Sequence, residues 1–155
     1  MISQKNLQRF FAAYVIILVY GMVIYQRNLD FSWIVTGGWD KLHALMDPTT
    51  NLMPFATINR YLSVLDRPSG LGLFLYNVVG NMIILIPFGY LMPLAAKSKK
   101  ALIWVALAGL VLIISMELLQ YVSMSGTLDV DDVLLNFSGV LIGYWLSPVS
   151  HKRWI

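Results

Sequence analysis

The sequence contains no cysteine. Disulfides, thiol nucleophiles and Cys-ligated zinc are therefore excluded. Histidine is scarce: His43 and His151 are the only two, far apart and without metal-ligand spacing. A His-based metal site or a Ser-His-Asp triad is disfavoured on that ground. No glycine-rich loop precedes a Lys-Ser or Lys-Thr pair, so no nucleotide-phosphate cradle is expected. Charge is short as well. Asp, Glu, Lys and Arg make up 12% of the 155 residues, against about 25% in a soluble domain.

What replaces the missing charge is apolar. Hydrophobic residues reach 58% and the mean hydropathy is +0.70. This balance predicts an all-α integral membrane protein whose first partner is the lipid bilayer. The formal net charge of +3 and pI near 9.2 do not point to nucleic acid, because the basic residues flank apolar stretches. That placement fits membrane orientation instead.

Read in order, the chain predicts a bundle of about four transmembrane helices, with a long outer loop between the first and second. A basic head carrying Lys5 and Arg9 precedes an uncharged run over 10–26. At ~1.5 Å per residue this run just crosses a ~30 Å hydrocarbon core. It is longer than a signal-peptide core and no small-x-small cleavage site follows, so a retained first helix is expected. Residues 28–69 are mixed in charge but hold Trp33 and Trp39. They predict a segment lying on the membrane interface, with a short helix over 57–65 that Pro54 starts.

The stretch 68–96 carries no charge and gives the second span, taken as 70–96. Asn77 and Asn81 are four apart and share one helix face. Pro87 is expected to kink the helix near its middle. The third span is 101–122 and the fourth 133–150. Gly139 and Gly143 form a G-x-x-x-G face open to close helix approach. Trp104, Trp145 and Trp154 read most simply as interfacial anchors. No internal repeat or second domain is seen, so 1–155 reads as one domain.

Placing the head, the 97–100 turn and the tail in the cytoplasm puts seven of the eleven Lys and Arg there, with no Asp or Glu. The positive-inside rule then predicts a multi-pass cell-membrane protein with both termini cytoplasmic. The long loop and the acidic turn holding Asp129, Asp131 and Asp132 face outward. Glu117, Gln120, Asn77, Asn81 and Asn136 gather at the same outer depth, where the long loop is expected to cover them.

Each of these residues has a structural and a functional reading. Asp129 suits an N-cap, and acids in a first turn complement the helix dipole. Three carboxylates within four residues exceed what capping needs. Glu117 and Asp132 are the candidate catalytic acids, since intramembrane acids are functional by default. Asn77, Asn81, Gln120, Asp129 and Asn136 are candidate binding residues, although the amides also serve as interhelical hydrogen-bond glue worth ~0.6 kcal/mol each. No metal ligand set and no cofactor is expected.

The chain resembles the VanZ-like family of bacterial membrane proteins. The resemblance rests on Asn51 with Pro54 and Phe55, then Asn77, Gly80 and Asn81, then Pro87, Gly89 and Pro93. It continues through Glu117 and Gln120, Asp129, Asp131 and Asp132, Asn136, Gly139 and Gly143. Thr127 stands where many members carry a basic residue, leaving Arg60 or Arg67, or no residue, in that role. The resemblance implies a cell-envelope protein linked to low-level teicoplanin resistance, whose ligand is a lipid-linked cell-wall precursor or the lipoglycopeptide itself. Three functions follow as alternatives. One is a binding or protective protein with an outward polar pocket. Another is a membrane-embedded acid/base or metal-assisted enzyme on a lipid-linked or cell-wall substrate. The last is a structural partner of envelope machinery docked through the G-x-x-x-G face.

Overall fold

The computed structural model describes residues 3–25, 29–96 and 101–150. The basic turn at 97–100 and the tail at 151–155, on which the predicted orientation partly rests, lie outside the described residues.

The first helix, α1 (Gln4–Val19), runs on through a π-helical stretch, Tyr20–Tyr25. It begins six residues before the expected 10–26 span, because Ser3 caps it: its side chain accepts from Asn6 N–H, so Lys5 and Arg9 fall inside the helix. The loop expected at the interface is largely helical. It contains α2 (Trp33–Thr36), α3 (Gly38–Met46), a 3-10 turn at Asp47–Thr49 and α4 (Ala56–Leu62). Pro54 precedes α4 without entering it, correcting the expected Pro54 start.

The second long helix, α5 (Gly70–Ala96), is continuous but irregular. A π-helical stretch at Leu75–Val79 widens it. A break at Leu85 (φ −99°, ψ 0°) falls two residues before Pro87, whose missing N–H leaves Ile83 C=O without its helical donor. Tyr14 of α1 donates to the adjacent Ile84 C=O at 2.5 Å. The third and fourth long helices are α6 (Ala101–Val122) and α7 (Val130–Leu146). The range expected for α7 was 133–150; it starts earlier because Asp129 caps it and Asp131 and Asp132 form its first turn. Two helices, α5 and Leu102–Val122 within α6, are long and apolar enough to cross a membrane.

The long helices pack on one core: Leu18 of α1, Leu85 and Phe88 of α5, Val105, Ile113 and Met116 of α6, and Val140 of α7. The closest seam joins α5 to α7. A Cβ at Gly139 would lie 2.0 Å from Met82 C=O, and one at Gly143 would lie 2.0 Å from Ile86 C=O. Only glycine permits that backbone approach. The G-x-x-x-G face is thus filled by this chain's own α5, which removes it as the docking face for another protein.

At the far end of the bundle, the 29–69 segment folds over the α6–α7 turn. Trp33, Leu42 and Met46 pack with Tyr121 in a second cluster. Trp33 Nε1 donates to Val122 C=O at 2.7 Å, and Asp30 N–H to Ser123 C=O at 2.8 Å. Asn51 pairs with Asp129 in a two-residue parallel bridge.

Candidate functional site

The acids of the α6–α7 turn separate into two groups. Asp129 and Asp131 point away from the helix bundle into the folded loop. Asp129 is the N-cap of α7, taking Asp131 N–H at 2.8 Å. Its other partners are Asn51 Nδ2 at 2.9 Å and Thr57 Oγ1 at 2.6 Å. Asn51 Nδ2 and Arg60 Nη2 both donate to that same Thr57 hydroxyl. Arg60 therefore reaches the acids through Thr57, and the hydroxyl is saturated as one donor and two acceptors.

Asp131 is fully buried. Its carboxylate accepts Phe55 N–H at 2.5 Å, Thr57 N–H at 2.7 Å and Ile58 N–H at 3.1 Å. These are donors of the first turn of α4, left open by the helix geometry. Asp131 thus caps α4 from across the fold, and its charge complements the positive helix end. To aim its N–H inward, Phe55 takes a left-handed conformation (φ 67°), a strain of ~1–2 kcal/mol. Three charge-assisted hydrogen bonds offset it.

Glu117 and Asp132 face the other way, into a cavity of about 680 Å³ between the helices. Its walls come from the end of α1 (Gly21, Met22), the first half of α5 (including Tyr76, Asn77 and Asn81), α6 (Glu117, Gln120) and α7 (Asp132, Asn136). Its volume falls in the range of small-molecule sites, about 300–1,000 Å³. Gly72 and Gly80 keep the α5 wall thin, and a Cβ added at Gly72 would meet no atom within 4 Å. Among its lining residues Leu75, Tyr76 and Ile84 are exposed.

Hydrogen bonds hold the polar walls in place. Asn81 Nδ2 donates to Asp132 Oδ1 at 2.6 Å, Gln120 Nε2 to Met22 C=O at 2.9 Å, and Asn77 Nδ2 to Leu73 C=O at 2.9 Å. Glu117 is 3% exposed, and its Oε2 lies 3.4 Å from Asp129 N–H, a long contact linking cavity to cap. Asn136 differs from its neighbours. It is 1% exposed, and neither its Nδ2 nor its Oδ1 has a hydrogen-bond partner. Leaving such a group unsatisfied costs about 1–3 kcal/mol.

Six of the seven residues singled out in the sequence, Glu117, Asp132, Asn77, Asn81, Gln120 and Asn136, line this one cavity. Asp129 does not; it sits in the cap network. The 29–69 segment contributes no lining residue, so it covers the acidic turn and leaves the cavity open, contrary to the expected lid. Sequence reasoning missed Asp131, Thr57 and Tyr76. Tyr76 was within reach, because 72, 76 and 80 repeat at helical spacing beside Asn77 and Asn81. Among the described residues no group of three or more His, Cys, Asp or Glu is placed to hold a metal ion.

A second cavity of about 610 Å³ lies under α3, lined in part by His43, Asp47 and Tyr121. Tyr121 donates its hydroxyl to Asp47 Oδ1 at 2.6 Å, and His43 Nδ1 stands 3.2 Å from the same oxygen. These bonds hold the Asp47 carboxyl below the usual carboxylate range, the Tyr121 hydroxyl contributing most.

No curated protein and no solved structure matches the chain. A family model does, and it spans residues 11–151, taking in the first helix from residue 11 onward, the other three long helices, the folded loop and every cavity residue named above. The chain belongs to the VanZ/LLP1 family.

Proposed function

We propose that this VanZ/LLP1-family chain is a multi-pass protein of the bacterial cell membrane, and that its inter-helix cavity binds the polar head of an envelope amphiphile. In this reading α1, α5, α6 and α7 all cross the bilayer, both termini are cytoplasmic, and the cavity lies at outer-leaflet depth. The occupant is a lipid-linked cell-wall precursor or a lipoglycopeptide such as teicoplanin, and its capture contributes to teicoplanin resistance. The observation that carries this reading is the convergence of Glu117, Asp132, Asn81 and unpartnered Asn136 on one cavity of about 680 Å³. Buried polar groups cost free energy unless something satisfies them, and the exposed Leu75, Tyr76 and Ile84 of its lining suit a molecule with an apolar tail.

The test is teicoplanin susceptibility in cells expressing the chain, at matched membrane abundance. Glu117→Ala and Asn136→Leu are expected to abolish protection, whereas Glu117→Gln, close in shape, retains much of it. Full protection by both Glu117→Ala and Asn136→Leu would refute a role for the cavity. Loss in Glu117→Gln equal to that in Glu117→Ala would favour acid/base chemistry over binding. A single cysteine at Ser125 in this cysteine-free chain reads the topology: labelling only from the cytoplasm would overturn the outward orientation.

A further inference from the structure

Resting on that binding reading, we infer that the cavity recognises a neutral, hydroxyl-rich part of the head, a glycosyl unit, and that Asn136 reads it. Asn136 lines the cavity, is 1% exposed, and has no partner for either polar atom of its side chain. Such an amide is completed only by an occupant that both gives and takes hydrogen bonds. A phosphate only accepts and would serve Nδ2 alone. An ammonium only donates and would serve Oδ1 alone. Either would leave half of the amide buried and unpaired, which is unfavourable. A hydroxyl does both, and two hydroxyls on adjacent ring carbons lie side by side, within reach of both atoms. A peptide unit does not match in the same way. Its trans geometry points N–H and C=O in opposite directions, so one unit reaches only one of the two atoms.

The other amides of the wall share this neutral, two-way character. Asn77, Asn81 and Gln120 line the cavity with Asn136. Each of the three gives one side-chain N–H to an oxygen of the protein: Leu73 C=O, Asp132 Oδ1 and Met22 C=O. That bond fixes how each amide is turned, because only its nitrogen can serve such an acceptor. Among the described residues their side-chain oxygens and second N–H groups have no partner. Each can therefore take a hydroxyl proton and give one back. Both π-helical stretches among the described residues, Tyr20–Tyr25 and Leu75–Val79, also border the cavity. They supply Gly21 and Met22 on one side, and Leu75, Tyr76 and Asn77 on the other. π-Helical turns are rare and gather at functional sites. Walls that depart from α-helical geometry here can shift to seat a hydroxyl against the enclosed Asn136.

The experiment is native mass spectrometry of the full chain, purified in a detergent that carries no sugar. It is offered octyl glucoside, octylamine, octyl phosphate or the methyl ester of octanoyl-alanylalanine, each below its micellar concentration. These probes have tails of the same length and differ in the head. Octyl glucoside is expected to be retained about tenfold more tightly than each of the others, a difference of ~1.4 kcal/mol. Asn136→Leu, close to its parent in volume, is expected to bring those ratios to within about twofold of unity. Its thermal transition reports whether it folds, and the head series on the parent chain tests the assignment without it. Equal retention of the probes, or tighter retention of the amine, the phosphate or the dipeptide, would overturn the glycosyl assignment. A glucoside preference that survives in Asn136→Leu would overturn the part given to Asn136. If the heads are retained equally while Asn136→Leu still abolishes teicoplanin protection, only the glycosyl assignment falls. If protection is also indifferent to Asn136, the binding reading falls with it.

Discussion

Asp129 and Asp131 precede Asp132 within four residues, and Glu117 lies in the last two turns of the helix before them, yet the four carboxylates occupy two unlike settings. Asp129 and Asp131 are enclosed by the 29–69 segment and are given every hydrogen bond by this chain: backbone N–H groups of α4, the Asn51 amide and the Thr57 hydroxyl. Glu117 and Asp132 border a cavity shared with an unpartnered amide. Burial is therefore a poor guide to role here. The most buried acid, Asp131, is a capping group, whereas Asp132, half-buried, stands at the candidate site. What separates the pairs is what they face: the folded 29–69 segment on one side, the inter-helix cavity on the other.

The sharpest way to break that contrast is to remove an acid from the capped pair. Asp131→Ala leaves three backbone N–H groups of the α4 turn without their acceptor. At about 1–3 kcal/mol for each buried donor left unsatisfied, the loss is at least about 3 kcal/mol, a large part of the stability of a marginal fold. Asp129→Ala removes an N-cap, worth about 0.5–2 kcal/mol, so it is expected to cost less. Thermal unfolding in detergent checks the order. If Asp131→Ala were no more harmful than Glu117→Ala, the division into structural and site acids would be wrong.

The next effect has the opposite sign. Asn136→Leu deletes the buried amide while keeping nearly the same volume. Replacing an unsatisfied polar group by an apolar one of similar shape relieves its desolvation penalty. Ligand-free protein is expected to gain about 1 kcal/mol, which raises Tm by roughly 2–4 °C at this chain length, while ligand retention falls. A lower Tm would mean that the fold itself uses the amide, and would move Asn136 to the structural side of the comparison.

Much of this was legible in the sequence, for reasons that differ residue by residue. The range expected for the third helix is the observed Ala101–Val122, because an apolar run whose one charge is Glu117, set between a lysine cluster and a polar turn, leaves little freedom. The cavity wall was legible because Asn77 with Asn81 on α5, and Glu117 with Gln120 on α6, lie at helical spacing. The start of α7 was misplaced by three residues because Asp131 and Asp132 read as turn, although acids are favoured in a first helical turn. The role of Asp131 was not legible at all. Its acceptor pattern uses backbone N–H groups more than 70 residues away, and backbone donors carry no residue-type signal. The same limit hid the partner of Gly139 and Gly143: the motif announces a close approach without saying which helix makes it.

The smallest expected effect concerns an acid outside both pairs. Asp47 is exposed, and its carboxylate ties the 3-10 turn after α3 to the end of α6 through the Tyr121 hydroxyl, with His43 beside it. That hydrogen bonding lowers its pKa from the ordinary value of 3.8. A carboxyl whose pKa is lower folded than unfolded binds protons more readily when unfolded, so it contributes stability above the unfolded value. The contribution is present above about pH 4 and is lost as the pH falls through the depressed folded value. Because the group is exposed, solvent screening keeps the effect small, and it is expected as local release of α3 without global unfolding. Trp33 and Trp39 lie beside this tether with ring centroids 4.9 Å apart and planes tilted by 43°, and they report it by fluorescence on acid titration. Asp47→Asn is expected to flatten that titration below pH 4 and leave the neutral-pH spectrum close to that of the parent. An unchanged acid transition in Asp47→Asn would show that this tether does not carry it.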